Sequence, residues 1–388
     1  MKRFPPHLAL LFVLSLIFVQ IGFLLIDAAH PAGLKFSAPR KGGEYANPVP
    51  VEGVAWYHGR DDYRVELVAS QDGRTVLSTE VPREMVNYDK KGGSFLLASF
   101  RSLVNLPADG EWRLSLYVVG KNGERLKGGD VTIQAGTGRL SGEFRHFSGQ
   151  HYAGLAGLLV LWILVITAAR ISTEEQRRVI EFLLVASLWL NEIIYQFYWY
   201  FTGGWHAAWA LMVQMCGLSI LILCFVFALP AGKLRQVLIE LIFFWGIGGA
   251  LQALLAPDIG YRGFPEYKYF SFFISHGLII ACGLYLVAGR GFRPTLLSVF
   301  RVILISNIVV FFAWWINLAL EYIPPFQRGN YFVIGFPPPT GSIIDILAGI
   351  FGPAPWYALG LEILGLALFL IMWLPFGVRD MVRRSETG

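Results

Sequence analysis

The sequence predicts a multi-pass α-helical membrane bundle of about eight transmembrane helices, with a β-sandwich domain inserted after the first helix. The chain of 388 residues is 55% hydrophobic and only 15% charged, whereas soluble domains carry about 25% charged residues. Apolar segments long enough to cross a bilayer recur along it. The stretch 33–138, between the first and second of these segments, is instead polar, turn-rich and strand-like.

The first segment is an apolar run at 8–26 that follows Lys2 and Arg3. A signal peptide has a shorter apolar core, about 7–15 residues, and a cleavage site of small residues. The pattern therefore favours an uncleaved signal anchor over residues 1–28 with its N-terminus inside, and a cleaved signal peptide is the alternative.

The inserted domain, residues 33–138, is predicted to be an immunoglobulin- or fibronectin-like β-sandwich of about six strands. β-branched and aromatic residues alternate in its segments, and QDGR, KNGE and PADGE mark turns between them. The predicted strands are 49–57, 63–69, 75–81, 95–100, 112–119 and 131–135. We interpret this domain as a spacer or a protein-interaction module.

The remaining helices form a membrane bundle over residues 144–378. They are predicted at 153–169, 179–201, 206–229, 237–255, 270–288, 296–320 and 356–376. Basic residues cluster at one set of helix ends, and the positive-inside rule places those ends in the cytoplasm. Both termini, including the tail 379–388, are then cytoplasmic, and the β domain and the loop 321–355 are extracytoplasmic.

An ionisable side chain, His276, lies in the run 270–287, which contains no Asp, Glu, Lys or Arg. Such a group in a membrane helix is a functional candidate, and histidine exchanges protons near neutral pH. A packing histidine without chemical function is the alternative. Helical rise places His276, Glu192 and Cys216 roughly 9–15 Å below the outer ends of their helices. We therefore expect them to face one cavity.

Other polar residues have two interpretations. Gln214 and Asn307 are expected to support the same cavity, although Asn307 also suits interhelical hydrogen bonding. Cys216 suits a small buried apolar position, and Glu192 suits a structural partner of a Trp or Tyr in YQFYWYF. His151, at the mouth of the first bundle helix, is either a solvated interface residue or a supporting polar group.

The loop 321–355 is dense in Pro, Gly and aromatic residues. Loops of this length are uncommon unless they are functional or disordered, so we predict an ordered lid or re-entrant cap. Asn330, Tyr331 and Asp345 are the polar groups it presents. The loop APDIGYRGFPEYKY before the His276 helix is a second rim element, and its Asp258 either lines the rim or caps a turn.

Several classes of site are not predicted. The three cysteines lie in apolar segments, which gives neither a disulfide framework nor zinc-site spacing. We predict no metal and no cofactor. The net charge of +5 arises from residues at helix ends, so we expect no nucleic-acid partner.

Six motifs occur in order along residues 144–376: FSGQH, FWGIGGALQALLAPD, FFISHG, GNYFVIGFPPP, PWYALG and MWLPF. In this order they resemble the YwaF-type bacterial integral membrane proteins. Those proteins are related to the animal transmembrane protein 164 acyltransferases and, more distantly, to the androgen-induced-gene-1-type lipid hydrolases. The resemblance implies a bacterial cytoplasmic membrane and an intramembrane enzyme that acts on lipid esters with a histidine and a Cys or Thr nucleophile.

The motif FFISHG places the histidine of the family at His276. Where YwaF relatives usually carry Leu-Pro-Leu-His-Leu-Cys-like residues, this chain has LMVQMC. The cysteine matches Cys216, Gln214 stands in place of the histidine, and the proline is absent. The cysteine of the animal enzymes matches either Cys216 or Val213.

The predicted function is therefore an acyltransferase or lipid-ester hydrolase. Cys216 attacks an acyl ester, His276 acts as base and then acid, and Gln214 or Asn307 stabilises the oxyanion. Phospholipids or lysophospholipids are the expected acyl donors and acceptors. The alternative is a non-catalytic envelope membrane protein whose β domain binds a partner protein or a glycan.

Overall fold

The computed structural model describes residues 4–59, 62–87, 94–136, 144–260, 262–337 and 343–387. Within these ranges, 7 helices are long and apolar enough to span a membrane, which confirms a multi-pass membrane protein. The helices are α1 (Pro6–Ala28), α2 (Gly149–Ile171), α3 (Glu174–Phe201), α4 (Ala207–Ala210), α5 (Met215–Val226), α6 (Lys233–Leu241), α7 (Gly248–Leu255), α8 (Tyr267–Arg290), α9 (Leu296–Ala319), α10 (Ile343–Phe351) and α11 (Ala358–Thr387). A wide π-helical turn, Ile242–Ile247, joins α6 to α7 in one span.

The prediction of one continuous helix over 206–229 is wrong. This segment folds as α4, an extended stretch and α5. The backbone N–H groups of Leu211 and Met212 donate to distant side chains, the Tyr331 hydroxyl at 2.8 Å and the Gln20 amide oxygen at 3.3 Å. Because these bonds replace helical ones, the chain stays extended here and α5 begins only after them.

The predicted β domain is present as two packed sheets. Its strands are β1 (Ala32–Ala38), β2 (Glu44–Tyr45), β3 (Val49–Tyr57), β4 (Tyr63–Gln71), β5 (Arg74–Val81), β6 (Arg83–Asn87), β7 (Ser94–Val104), β8 (Gly110–Gly120) and β9 (Arg125–Ala135). One sheet has the order β1-β3-β7-β6 and the other β2-β9-β8-β4-β5. Val51, Leu67, Phe100, Trp112 and Leu116 are nearly inaccessible in the core between them, as a sandwich requires.

The sequence missed β1, β2 and β6. Strand β2 has 2 residues and pairs in parallel with β9, which is too short for an alternation pattern. Strand β1 is an edge strand that alternates only partly, because its outer face contacts the helical bundle. The prediction of a sandwich was correct because its longer strands carry period-2 alternation.

The sheet that contains β1 and β3 packs against one end of the bundle. Lys35 of β1 donates to the Asp27 carboxylate at 2.6 Å and to the Trp205 carbonyl at 3.0 Å. Burial lowers the pKa of Lys35, and the neighbouring Asp27 carboxylate opposes this change. Arg262 contacts Glu52 of β3 at 3.3 Å. The domain is therefore docked onto the membrane bundle by buried charged contacts as well as by apolar packing.

A candidate active site in a cavity of the membrane bundle

A cavity of about 270 Å³ lies among α3, the stretch 209–220, and α8. Three large aromatic side chains, Trp199, Trp209 and Phe272, contribute much of its apolar wall. Its polar lining consists of Glu192, Tyr195, Gln196, Gln214, Cys216, Asp258, Lys268, Ser271, Ser275 and His276. A largely apolar cavity with a few convergent polar groups is the usual form of a ligand site.

One face of α8 supplies much of the polar lining. Lys268, Ser271, Phe272, Ser275 and His276 all line the cavity. They are spaced i, i+3, i+4, i+7 and i+8, which places them on one side of a helix. On the neighbouring helix α3, the side-chain Nδ2 of Asn191 donates to the backbone carbonyl of Ser271 at 3.3 Å. This bond helps to hold the polar face of α8 toward α3.

The imidazole of His276 is oriented by its own helix. Its Nδ1 lies 2.8 Å from the carbonyl oxygen of Phe272, one turn earlier. A carbonyl oxygen only accepts, so Nδ1 carries the proton and Nε2 has the free lone pair. The described structure gives Nε2 no hydrogen-bond partner. His276 therefore presents a proton acceptor in a cavity wall.

Cys216 lies in the first turn of α5, directly after the extended stretch. It is half-buried and lines the cavity. Its position in the first turn places the thiol near backbone N–H groups that have no acceptor within the helix. On its other side, a Cβ atom added at Gly249 would lie 4.0 Å from the Cys216 sulfur. Gly249 of α7 is thus a neighbour of this thiol, and a side chain there would make only ordinary van der Waals contact with it.

His276 is not hydrogen-bonded to Cys216 in the described structure. It is not bonded to Glu192 or Asn307 either; among the described residues, its hydrogen bond is to the Phe272 carbonyl. The side chains of His276 and Cys216 nevertheless line one cavity. Catalytic contacts are commonly loose before substrate binds and tighten in the substrate complex.

Gln214, the residue before α5, is fixed in one amide orientation. Its Oε1 accepts from the backbone N–H of Phe332 at 2.9 Å. Because an N–H must face an oxygen, the Nε2 group points the other way. Among the described residues, this Nε2 group has no hydrogen-bond partner. Gln214 can therefore donate a hydrogen bond within the cavity that it lines.

Glu192 belongs to a chain of hydrogen bonds that extends from the cavity wall. Its Oε1 accepts from Gln196 Nε2 at 2.7 Å, and Gln196 Oε1 accepts from Trp205 Nε1 at 2.8 Å. The direct partner of Glu192 is thus Gln196 rather than a Trp or Tyr of YQFYWYF, and Trp205, which bonds to Gln196, lies outside that run. This arrangement resembles structural support of α3 more than a free general base.

The loop after α9 closes over the extended stretch next to Cys216. Tyr331 is completely buried; its hydroxyl donates to the Ala207 carbonyl and accepts from Leu211 N–H. The Asn317 side chain pairs with both backbone groups of Tyr331, at 2.9 and 3.1 Å. The GNYF motif is therefore an internal clamp that fixes the backbone leading to Cys216.

Replacement of Tyr331 by phenylalanine should destabilise this clamp. It would leave the Ala207 carbonyl and the Leu211 N–H buried without a partner, at a cost of about 1–3 kcal/mol. We expect a lower unfolding free energy and a lower kcat, measured on the purified protein. Tyr322→Phe is the matched control, because Tyr322 is 81% exposed. Equal stability of the two variants would contradict the clamp.

Five of the predicted site residues do not line the cavity. Asn330 forms a local turn by accepting from Gly335 and Phe336 N–H. Asn307 bonds to Glu362 of α11 at 2.8 Å, so its proposed oxyanion role is incorrect, and interhelical bonding is its role. The five residues are His151, Asn307, Asn330, Tyr331 and Asp345.

His151 has a structural role. Its Nδ1 accepts from Phe147 N–H at 2.9 Å, and its Nε2 donates to the Leu254 carbonyl at 2.7 Å. Both ring nitrogens are thus used, and the side chain is fully buried. The FSGQH motif therefore ties the start of α2 to the end of α7.

Sequence reasoning missed Lys268, Ser271 and Ser275. The spacing of these residues relative to His276 was visible in the sequence. The predicted helix began at residue 270, however, so Lys268 was assigned to a loop. In the structure α8 begins at Tyr267, and the added turn brings Lys268 onto the cavity face.

The fold and this cavity define a multi-pass membrane protein with a polar site among its helices. The sequence profile of the TMEM164 family matches residues 146–373, well over half of the chain, and the chain therefore belongs to the TMEM164 family. This confirms the expected relationship to transmembrane protein 164, whereas the narrower YwaF-type assignment stays a prediction. Helix α1 and the β-sandwich lie outside the matched residues. The membership is consistent with a lipid-related membrane protein.

No curated protein matches the chain. Among solved structures, the crystal structure of an engineered protein matches 27% of this chain and 20% of its own chain, at 14% identity and a TM-score of 0.19. A similarity this low carries no argument about fold or function.

Proposed function

We propose that this protein is an intramembrane acyltransferase or lipid-ester hydrolase that uses Cys216 as nucleophile and His276 as base. The observation that carries the proposal is that both side chains line one cavity, and that His276 presents an unprotonated Nε2 there. The membership in the TMEM164 family supports a lipid as the substrate. Phospholipids and lysophospholipids are the proposed acyl donors and acceptors.

The first half of the reaction would form a thioester. The Cys216 proton passes to His276 Nε2 while the sulfur bonds to the ester carbonyl carbon. The C–O bond to the lipid alcohol then breaks, and the imidazolium returns its proton to the leaving oxygen. The Gln214 amide is placed to donate to the oxyanion that forms between these steps.

The second half would release the acyl group. A lysophospholipid hydroxyl or a water molecule gives its proton to His276 and attacks the thioester carbonyl. The C–S bond breaks, and the proton from the imidazolium regenerates the thiol. A lipid acceptor makes the protein an acyltransferase, whereas water makes it a hydrolase.

The proposal also includes a location. Arg170, Arg290 and Arg293 lie at helix ends opposite the docked β domain, which supports a cytoplasmic position for those ends. The cavity would then lie in the outer half of a bacterial cytoplasmic membrane, with both termini inside. The ester of a phospholipid substrate in the outer leaflet would already lie near that depth.

The covalent intermediate is the sharpest test. Purified protein in liposomes that contain phosphatidylcholine should acquire an acyl group on Cys216, detected by mass spectrometry of the peptide and removed by hydroxylamine. Cys224→Ala is the matched control, because Cys224 is a buried thiol of the same helix outside the cavity lining. Turnover in Cys216→Ala at the wild-type rate would exclude this nucleophile.

A further inference from the structure

A lysine without an ionic partner lies in the wall of the cavity. Lys268 is half-buried and lines the cavity, and in the described structure it forms no ion pair and no hydrogen bond. Its Nζ lies 4.7 Å from the centroid of the Trp199 ring. A partly desolvated ammonium without an anion is unfavourable, so this position favours an anionic ligand.

None of the described carboxylates near this lysine forms an ion pair with it. Arg262 and Arg101 both direct their charge to one carboxylate, Glu52, at 3.3 and 3.1 Å. Asp258 acts on Lys268 electrostatically but lies beyond ion-pair distance. Glu192, the other carboxylate in the cavity lining, accepts from Gln196 at 2.7 Å and forms no ion pair with Lys268 in the described structure.

The helix adds to this positive character. Lys268 is the second residue of α8, and no side chain caps the helix N-terminus. Free backbone N–H groups there attract anions. Lys268 is the residue of this first turn that lines the cavity, and the carboxylate of the N-cap residue Glu266 is paired with Arg40 at 2.9 Å.

The position relative to His276 suits a lipid. Lys268 precedes His276 by eight residues on the same helix face, which corresponds to about 12 Å along the axis. The glycerol backbone of a phospholipid and the lysine side chain together can bridge this separation. An ester at His276 would then place its phosphate near Lys268.

We infer that Lys268 and the N-terminus of α8 form a subsite for a phosphate group. The lipid headgroup as the source of that phosphate rests on the proposed function, whereas the anion subsite itself does not. The subsite would discriminate phosphate-bearing lipids from neutral glycerolipids. Lys268 is thus a specificity-determining residue rather than a catalytic one.

The test measures binding rather than turnover. Three probes are titrated into the full-length protein in detergent micelles: a dialkyl phosphatidylcholine, which has no ester to cleave, a dialkylglycerol and inorganic phosphate. Lys268→Gln should weaken binding of dialkyl phosphatidylcholine by about tenfold or more and leave dialkylglycerol binding unchanged. Lys268→Arg should restore most of the affinity, which also shows that the position tolerates substitution.

The matched control is Lys233→Gln, because Lys233 is an exposed lysine at the start of another helix, α6. Lysine-dependent binding of the dialkyl lipid supports a headgroup subsite. Lysine-dependent binding of inorganic phosphate alone supports the anion subsite with free phosphate as its source. Equal affinities of wild type, Lys268→Gln and Lys233→Gln for both phosphate probes would overturn the inference. Because no probe reacts, an inactive Cys216 would not affect any of these outcomes.

Discussion

Replacement of His276 by glutamine is expected to lower kcat for acyl transfer or ester hydrolysis by roughly 10²–10⁴-fold, the range that a general base contributes. A glutamine amide can still donate to the Phe272 carbonyl, as His276 Nδ1 does. It has no basic nitrogen to accept the Cys216 proton. The loss should therefore appear in kcat, and binding of a non-cleavable dialkyl lipid should stay close to wild type.

The control for this variant is His146→Gln, since His146 is exposed and lies outside the cavity lining. Turnover is measured with purified protein in liposomes under excess lipid substrate. The acylated Cys216 peptide should also form far more slowly in the His276 variant. A His276→Gln protein that keeps more than a third of the wild-type kcat would contradict the role of general base.

The helices were predictable because the membrane imposes a simple rule on sequence. A spanning helix needs about 20 apolar residues, and such runs gave α2, α3, α8 and α9 within a few residues of their ends. The break before α5 was not predictable in this way. It depends on Tyr331 and Gln20, which are distant in sequence and supply hydrogen bonds that replace those of a helix.

The site was predictable only in part for a related reason. His276 and Cys216 stood out because reactive side chains in apolar runs are rare. Asn330 and Tyr331 also stood out, but their backbone partners make them structural. Sequence shows which polar groups are buried, whereas only the fold shows which of them already have partners.

The structure also adds a role for the β domain that its sequence did not indicate. Its composition differs from that of the bundle, and we therefore predicted a spacer or a protein-interaction module. In the structure its Glu52 contacts Arg262, in the loop before α8, and its Ala98 N–H donates to Gln327 in the loop after α9, at 2.7 Å. The domain therefore holds the two loops predicted to form the rim of the site.

The docking of the β domain can be tested most directly at the Glu52–Arg262 contact. Both side chains are 8% exposed, and the Arg262 Cζ atom also lies 4.8 Å from the Trp199 ring centroid. Removal of one partner from a buried ion pair typically costs about 3–5 kcal/mol, because the other charge is left uncompensated. We therefore expect Glu52→Gln to destabilise the docked domain by about this amount, because it leaves the Arg262 charge without its carboxylate. Arg262→Met should cost less, because Arg101 still pairs with Glu52 at 3.1 Å.

The double variant separates the charge from the packing. Glu52→Leu combined with Arg262→Met removes both buried charges, and such replacements are often nearly neutral. Arg101, the second partner of Glu52, has a side chain that is 44% exposed and keeps contact with water. Unfolding free energies and hydrogen exchange in the loop before α8 would measure the coupling in a double-mutant cycle. The control is Asp380→Asn, which breaks the exposed Arg293–Asp380 pair and should cost at most about 1 kcal/mol.

The same cycle tests whether the β domain is part of the functional unit. The loop that Glu52 holds carries Asp258 and leads into the α8 face with Lys268 and His276. A loosened loop should raise KM for the lipid in each single variant, and the double variant should recover it together with stability. If both single variants kept wild-type stability and KM, the β domain would be an independent module. A rise in KM with unchanged kcat would instead assign it to holding the mouth of the cavity in its binding form.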